Sequence, residues 1–262
     1  MRLAYRTGML CIACLTVGCQ SPAPVQDRTV LPPMDPQAAV LLESGSYSGA
    51  MQRFEQMARA ASVPDHYWLE AADAALRAGN QAHAQELAGR VNPQRLAPGD
   101  LDRFRLLGAR VALNQGQASV ALSDLALLSG HALAPADRKN YHILRASALD
   151  QSGEPVASAA ERVMLDSLLT QANDIGHNHQ VILETLARAP AVALRSAACR
   201  PPDALCGWIG LTLALRDTPQ GDQPAALARW RADYPSHPAG LSGLAEPARE
   251  RSSTLEPTHA AN

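Results

Sequence analysis

Aromatic side chains make up only 4 % of the 262 residues although 47 % are apolar. Alanine, leucine and valine must therefore fill most of the core, which suits helices stacked closely on one another. A net charge of −2 leaves no basic surplus, and with it goes the electrostatic footprint of a nucleic-acid partner. Alternating apolar and polar runs are almost absent, which excludes a sheet as the main element. There is no nucleophile elbow, no phosphate loop and no pair of carboxylates in a plausible pocket, so neither an enzyme nor a cofactor is expected. Glu70 and Asp73, one helical turn apart, read as a solvated helix face. The length allows one large domain or two small ones.

What is present is repetition. Gly45, Gly79, Gly116 and Gly153 are each followed five residues later by a small residue: Ala50, Ala84, Ala121 and Ser158. Ahead of the last three glycines lie apolar series at helical spacing, led by Trp68, Phe104 and Tyr141 as equivalent positions and broken once at Arg145. Glycine can end a first helix in a left-handed backbone, and the small residue lets a second helix cross close by. Nineteen residues after the first three glycines stand Pro64, Pro98 and Pro135, closely followed by Asp65, Asp100 and Asp137. Proline is expected to stop the second helix and aspartate to cap the next. Asp35-Pro36 offers a cap and a proline first turn before the first unit. A unit of this length and order resembles the tetratricopeptide (TPR) family, of whose usual aromatic after the glycine only Tyr47 survives. The expected fold is an all-α, TPR-like helical hairpin solenoid, with an alanine-rich bundle as the alternative.

The N-terminus reads as a secretory leader over 1–18. Arg2 and Arg6 precede an uncharged run over 7–18 that is too short for a membrane span. The sequence Leu15-Thr16-Val17-Gly18-Cys19 resembles a bacterial lipobox, with Thr16 where leucine is commonest. That resemblance implies lipidation of Cys19, several acyl chains giving a firm anchor; the alternative is an incidental thiol in a cleaved peptide. Gln20 stands where an aspartate would favour inner-membrane retention, so the resemblance implies the periplasmic face of the outer membrane. Removing Arg2 and Arg6 takes the basic count from 23 to 21 against 25 acids, about −4 for the mature chain. Residues 19–36, with five prolines from Pro22 to Pro36, read as a tether. Cys11 and Cys14 have Cys-x-x-Cys spacing but leave with the leader.

Beyond Gly153 a long helix is expected over about 155–172, a break at Gly176, and another helix over about 180–189. His177-Asn178-His179 invites a metal reading, but no carboxylate or thiol cluster nearby completes a site. Cys199 and Cys206 flank a loop carrying Pro201 and Pro202. In an oxidising compartment a short-loop disulfide is expected, with two unrelated buried thiols as the alternative. Helices are expected over 204–215 and 224–234.

Gly207-Trp208-Ile209, followed by Trp230-Arg231-Ala232-Asp233-Tyr234-Pro235-Ser236-His237-Pro238-Ala239, is similar to the end of the N-terminal helical domain of LpoA-type (LppC) lipoproteins. Lipobox, tether, degenerate hairpins and this closing motif come in the family's order, so the resemblance covers nearly all of 1–240. It implies a non-enzymatic, outer-membrane activator of a class A penicillin-binding protein, a bifunctional peptidoglycan synthase. The organisation is then leader 1–18, lipidated cysteine and tether 19–36, helical domain 37–240, and tail 241–262. The family continues into an α/β domain resembling solute-binding proteins, which the resemblance implies carries much of the synthase contact. Here Glu246-Pro247 and a polar tail to Asn262 follow, so the expectation is either a split or truncated form of the family's protein or a helical domain that acts alone. A TPR-like adaptor in outer-membrane protein assembly is the alternative function.

Overall fold

The computed structural model describes residues 34–197, 200–241 and 244. The expected leader, Cys19, the tether before Met34, Cys199 and the tail from 245 lie outside the described residues. Within them the chain is helical throughout, with thirteen α-helices and no strand.

The first eight helices form four hairpins: α1 (Pro36–Glu43) with α2 (Tyr47–Ala60), α3 (Asp65–Arg77) with α4 (Gln81–Ala88), α5 (Pro98–Asn114) with α6 (Ala118–Ala126), and α7 (Pro135–Gln151) with α8 (Pro155–Asp166). Each turns at its glycine, where φ is 73°, 78°, 72° and 77° in chain order. In every case the residue after the glycine donates its N–H back to the first helix, as from Asn80 to the Ala75 carbonyl at 2.9 Å and from Glu154 to the Leu149 carbonyl at 2.9 Å. A Cβ at any of the four would meet nothing within 4 Å. The requirement is thus the left-handed backbone itself, not space.

Helix proximity comes from small residues. Ala50, Ala84 and Ala121 are 0 % exposed, Ser158 is 1 % exposed, and Ala38, Ala72, Ala109 and Ala146, each seven residues before its glycine, are all 0 %. Ser158 also donates to the Ala146 carbonyl at 2.8 Å, fastening α8 to α7. Second helices pack on the first helix of the next unit, and the first helices α3, α5 and α7 also touch in series, which produces the TPR-like array. Counting back twelve residues from the glycine places Tyr67, not Trp68, opposite Phe104 and Tyr141. Trp68 lies one step round the helix, where it is buried and covered by the Arg90 guanidinium at 5.0 Å.

Two local expectations are corrected. Asp35 caps α1, accepting the Ala38 N–H at 3.0 Å, but Asp65, Asp100 and Asp137 cap nothing. Pro98 and Pro135 open α5 and α7, and Asp100 and Asp137 lie inside the first turn. A proline needs no N–H partner there, and a carboxylate in the first turn favours the helix dipole instead. Asp65 accepts the Asn92 N–H at 2.7 Å. Nor do those prolines stop the second helices: α4 and α6 end earlier, before the short 3₁₀ turns Pro93–Arg95 and Gly130–Ala132.

The break expected at Gly176 falls ahead of it, after α8 ends at Asp166, and α9 (Ala172–Arg188) runs straight through the glycine. Helical geometry at that point turns Asn178 and His179 back onto Asp166, and Gly176 sits exposed with open space around it. The helices α10 (Ala191–Ala197), α11 (Ala204–Arg216), α12 (Gln223–Asp233) and α13 (Pro238–Leu241) complete the domain. Trp208, Ile209, Leu211, Ile182, Leu186 and Leu227 make its second core.

Candidate docking groove and the closing motif

The first helices of consecutive hairpins present one shared face, and a ladder of charged side chains crosses it. Arg103 on α5 donates to Glu70 of α3 at 2.5 Å and to Asp100 at 3.4 Å. His66 Nδ1 reaches Asp100 at 2.7 Å. Arg77 and Arg110 hold Asp73 at 2.8 and 3.5 Å, and Arg110 continues to Asn140 of α7 at 3.4 Å. Glu70 is therefore not solvated but buried, while Asp73 is half-buried.

Burial works against the charge on Arg103, but the Glu70 hydrogen bond and the charges of Glu70, Asp100 and Asp73 outweigh it and raise its pKa. Asp137 lies at the same shallow pocket as Asp73, Arg77, Arg103 and Arg110. Burial raises its pKa, Arg103 opposes that, and Asp102, Asp73 and Glu70 add to it. Glu70 and Asp100 are tied to Arg103 and His66, so the ladder fixes the register of successive hairpins and presents charge along a groove. Glu70, Arg103 and His66 were in no motif, and Asp100 stood in the repeat only as an expected cap. Their signal was a basic-type and an acidic side chain about one repeat apart: His66 to Asp100 spans 34 residues and Glu70 to Arg103 spans 33.

The His177-Asn178-His179 stretch lies on α9. His179 is buried and binds Asp166 at 2.9 Å, Asn178 donates to the Arg162 carbonyl at 2.9 Å, and His177 is exposed. Among the described residues no three His, Cys, Asp or Glu side chains are grouped to hold a metal ion.

The closing motif acts as a weld. Trp230 Nε1 donates to the Gly207 carbonyl at 2.8 Å, and His237 Nε2 donates to the Ala204 carbonyl at 2.9 Å. The Ala239 N–H donates to His237 Nδ1 at 3.2 Å, which fixes the neutral tautomer. Gly207 is needed because a Cβ there would stand 2.4 Å from His237 Cδ2. Burial pushes the His237 pKa down, the Ala204 bond works against that, His179 adds to it and Asp166 opposes it. Cys206 is buried on α11 and disulfide-bonded, while Cys199 lies outside the described residues.

The description "LppC putative lipoprotein" belongs to a family model that matches residues 46–245. "Penicillin-binding protein activator LpoA" of Vibrio cholerae is 31 % identical over 183 residues, 66 % of this chain and 29 % of that protein. Its namesake in Photobacterium profundum is 29 % identical over 171 residues, 63 % of this chain and 27 % of that one. The chain thus spans less than a third of the length of these curated relatives. Among solved structures, the amino-terminal domain of E. coli LpoA is similar with TM-score 0.59 at 18 % identity, over 88 % of this chain and 99 % of that one. The LpoA N-terminal domain from Haemophilus influenzae gives 0.59 at 20 % identity, over 77 % and 93 %. With the matched region spanning all four glycine hairpins' second helices and the closing weld, the chain belongs to the LppC family of putative lipoproteins.

Proposed function

We propose that this chain is a lipid-anchored envelope protein that regulates a class A penicillin-binding protein by presenting its helical array to it. The observation that carries this reading is that relatives named as activators of penicillin-binding proteins are 29 % and 31 % identical to this chain over 63 % and 66 % of its length. The ladder supports the docking role, since it leaves a charged groove on a rigid scaffold where a protein segment can lie. Proton transfer and cofactor chemistry have no part in it, and the nearly balanced charge suits a protein partner better than nucleic acid.

In this reading the leader over 1–18 is removed, Cys19 carries the acyl chains at the periplasmic face of the outer membrane, and the tether over 19–36 spaces the domain over 37–240 from the lipid. Anchoring raises the local concentration of the domain near its target. Residues 241–262 form a tail, and Cys199 is the partner of Cys206. The test is direct: purified mature chain is added to a class A synthase making peptidoglycan. A saturable rise in synthesis supports the reading, and an unchanged rate at saturating chain counts against it.

A further inference from the structure

The seam between successive hairpins is closed at one place and open at the next. Between the first two hairpins Phe54, nine residues after its glycine, is 1 % exposed. Glu55 beside it pairs with His83 Nε2 of α4 at 2.8 Å, and the Arg90 guanidinium lies over Trp68. Between the second and third hairpins the same four places, counted from the turn glycines, carry Ala88, Gly89, Val120 and Leu127. A filling ring and its bridging charges have given way to small or apolar groups. Val120 is 48 % exposed and Leu127 64 % exposed.

What these residues leave is an open apolar cavity of about 180 Å³, lined by Phe104, Gly108 and Val111 of α5 together with Ala88 and Val120. No charged side chain lines it among the described residues. Arg103 and Arg110 of the ladder line a different pocket, on another side of α5. An apolar cavity of about 150 Å³ is enough to admit a benzene ring, and one seam earlier the array itself supplies a phenylalanine at this place. A Cβ on Gly108 would lie 3.0 Å from Asp124 Oδ2, so that carboxylate stands against a residue lining the cavity. Among the described residues the Asp124 side chain makes no hydrogen bond and no ion pair within 4.0 Å. Burial raises its pKa and Arg105 works against that, yet Arg105 is held by Asp102 and by the Leu127 carbonyl, each at 3.4 Å.

We propose that this cavity receives a phenylalanine-sized side chain of a partner polypeptide, and that a lysine or arginine beside it in the partner pairs with Asp124. Charge complementarity selects that occupant: the lining disfavours a buried charge, and the free carboxylate at its edge favours a basic neighbour over an acidic one. The site goes beyond the charged groove and is independent of what lies there.

The test titrates the full mature chain at pH 7, its valine methyls labelled for NMR, with three peptides. Saturating shifts of the Val111 and Val120 methyls with acetyl-Lys-Phe-amide support the site. Acetyl-Glu-Phe-amide should bind at least about fivefold more weakly, the scale of one partly exposed ion pair, and acetyl-Lys-Ala-amide should not bind. Asp124→Asn should erase the preference between the two phenylalanine peptides. Ala88→Leu installs the residue type that the third hairpin carries there as Leu125. It should abolish binding and, by filling the cavity, raise the thermal midpoint by about 2–4 °C. No saturating shift with acetyl-Lys-Phe-amide, equal binding of both phenylalanine peptides by wild type, or a preference that survives Asp124→Asn overturns the proposal. So does binding unchanged in Ala88→Leu. Shifts of the same methyls that grow with protein concentration in the absence of peptide also overturn it, because a second copy of the chain would then fill the cavity.

Discussion

Arg103 on α5 donates to Glu70 on α3 at 2.5 Å across the seam between two successive hairpins. The Glu70 side chain is 6 % exposed and that of Arg103 is 30 % exposed, so the pair is screened far less than a surface bridge. Removing one partner strands the other. Arg103→Met is expected to cost about 2–3 kcal/mol in urea unfolding, a buried-pair loss discounted for the exposure of the arginine. Adding Glu70→Leu should restore most of that stability. A double variant no more stable than the single one would show that the two residues are not coupled.

The turn glycines and Gly207 are expected to fail differently. Gly153→Ala places an alanine at φ 77° with nothing within 4 Å of its Cβ. It should cost about 1 kcal/mol, the backbone penalty alone. Gly207→Ala brings a Cβ to within 2.4 Å of His237, and the clash should cost about 2–3 kcal/mol. Denaturant midpoints of the two variants, measured side by side, check the ordering.

His237 gives the weld a pH dependence whose sign follows from its burial. The folded-state pKa lies below the ordinary 6.5, so the unfolded chain takes up the proton first as pH falls. Stability contributed by the neutral imidazole is present above pH 6.5 and is lost as pH drops through that value toward the folded pKa. Protonation also removes the acceptor for the Ala239 N–H. His83 shifts the other way, raised chiefly by its Glu55 hydrogen bond, and that contribution is common to wild type and variant. Melting temperatures taken between pH 7.5 and 5.5 should therefore fall more steeply for wild type than for His237→Gln, although the variant starts lower.

Much of the array was written in the sequence because its markers recur in phase. Gly45, Gly79, Gly116 and Gly153 announce a backbone that few other residues adopt, and the small residues five places on announce close helices. The ladder was hidden because Glu70 and Asp73 look like any solvated pair until the partner helix brings Arg103 and Arg110 opposite them. Asp100 and Asp137 misled as caps because proline two residues earlier already opens the helix. Gly176 misled because a glycine on an exposed turn weakens a helix without ending it, and Asp166 supplies the contacts that keep α9 intact. The weld at Gly207 and His237 was visible only as a resemblance, since 30 residues of sequence separate the two.

The anchor and the disulfide are tested chemically. Cys19→Ser should abolish acyl labelling and release the protein from membranes. Unreduced, denatured protein taken from the periplasm should show no free thiol at Cys199 or Cys206, whereas two free thiols would contradict the pair. Cys206→Ser should lower stability by about 2–3 kcal/mol, the scale of a short closed loop.

The docking role is tested most directly by photocrosslinking in living cells from position 140, at the edge of the charged groove where Asn140 meets Arg110. A class A penicillin-binding protein recovered in the crosslinked product is the expected result. Recovery of barrel-assembly subunits, with no synthase, would contradict it.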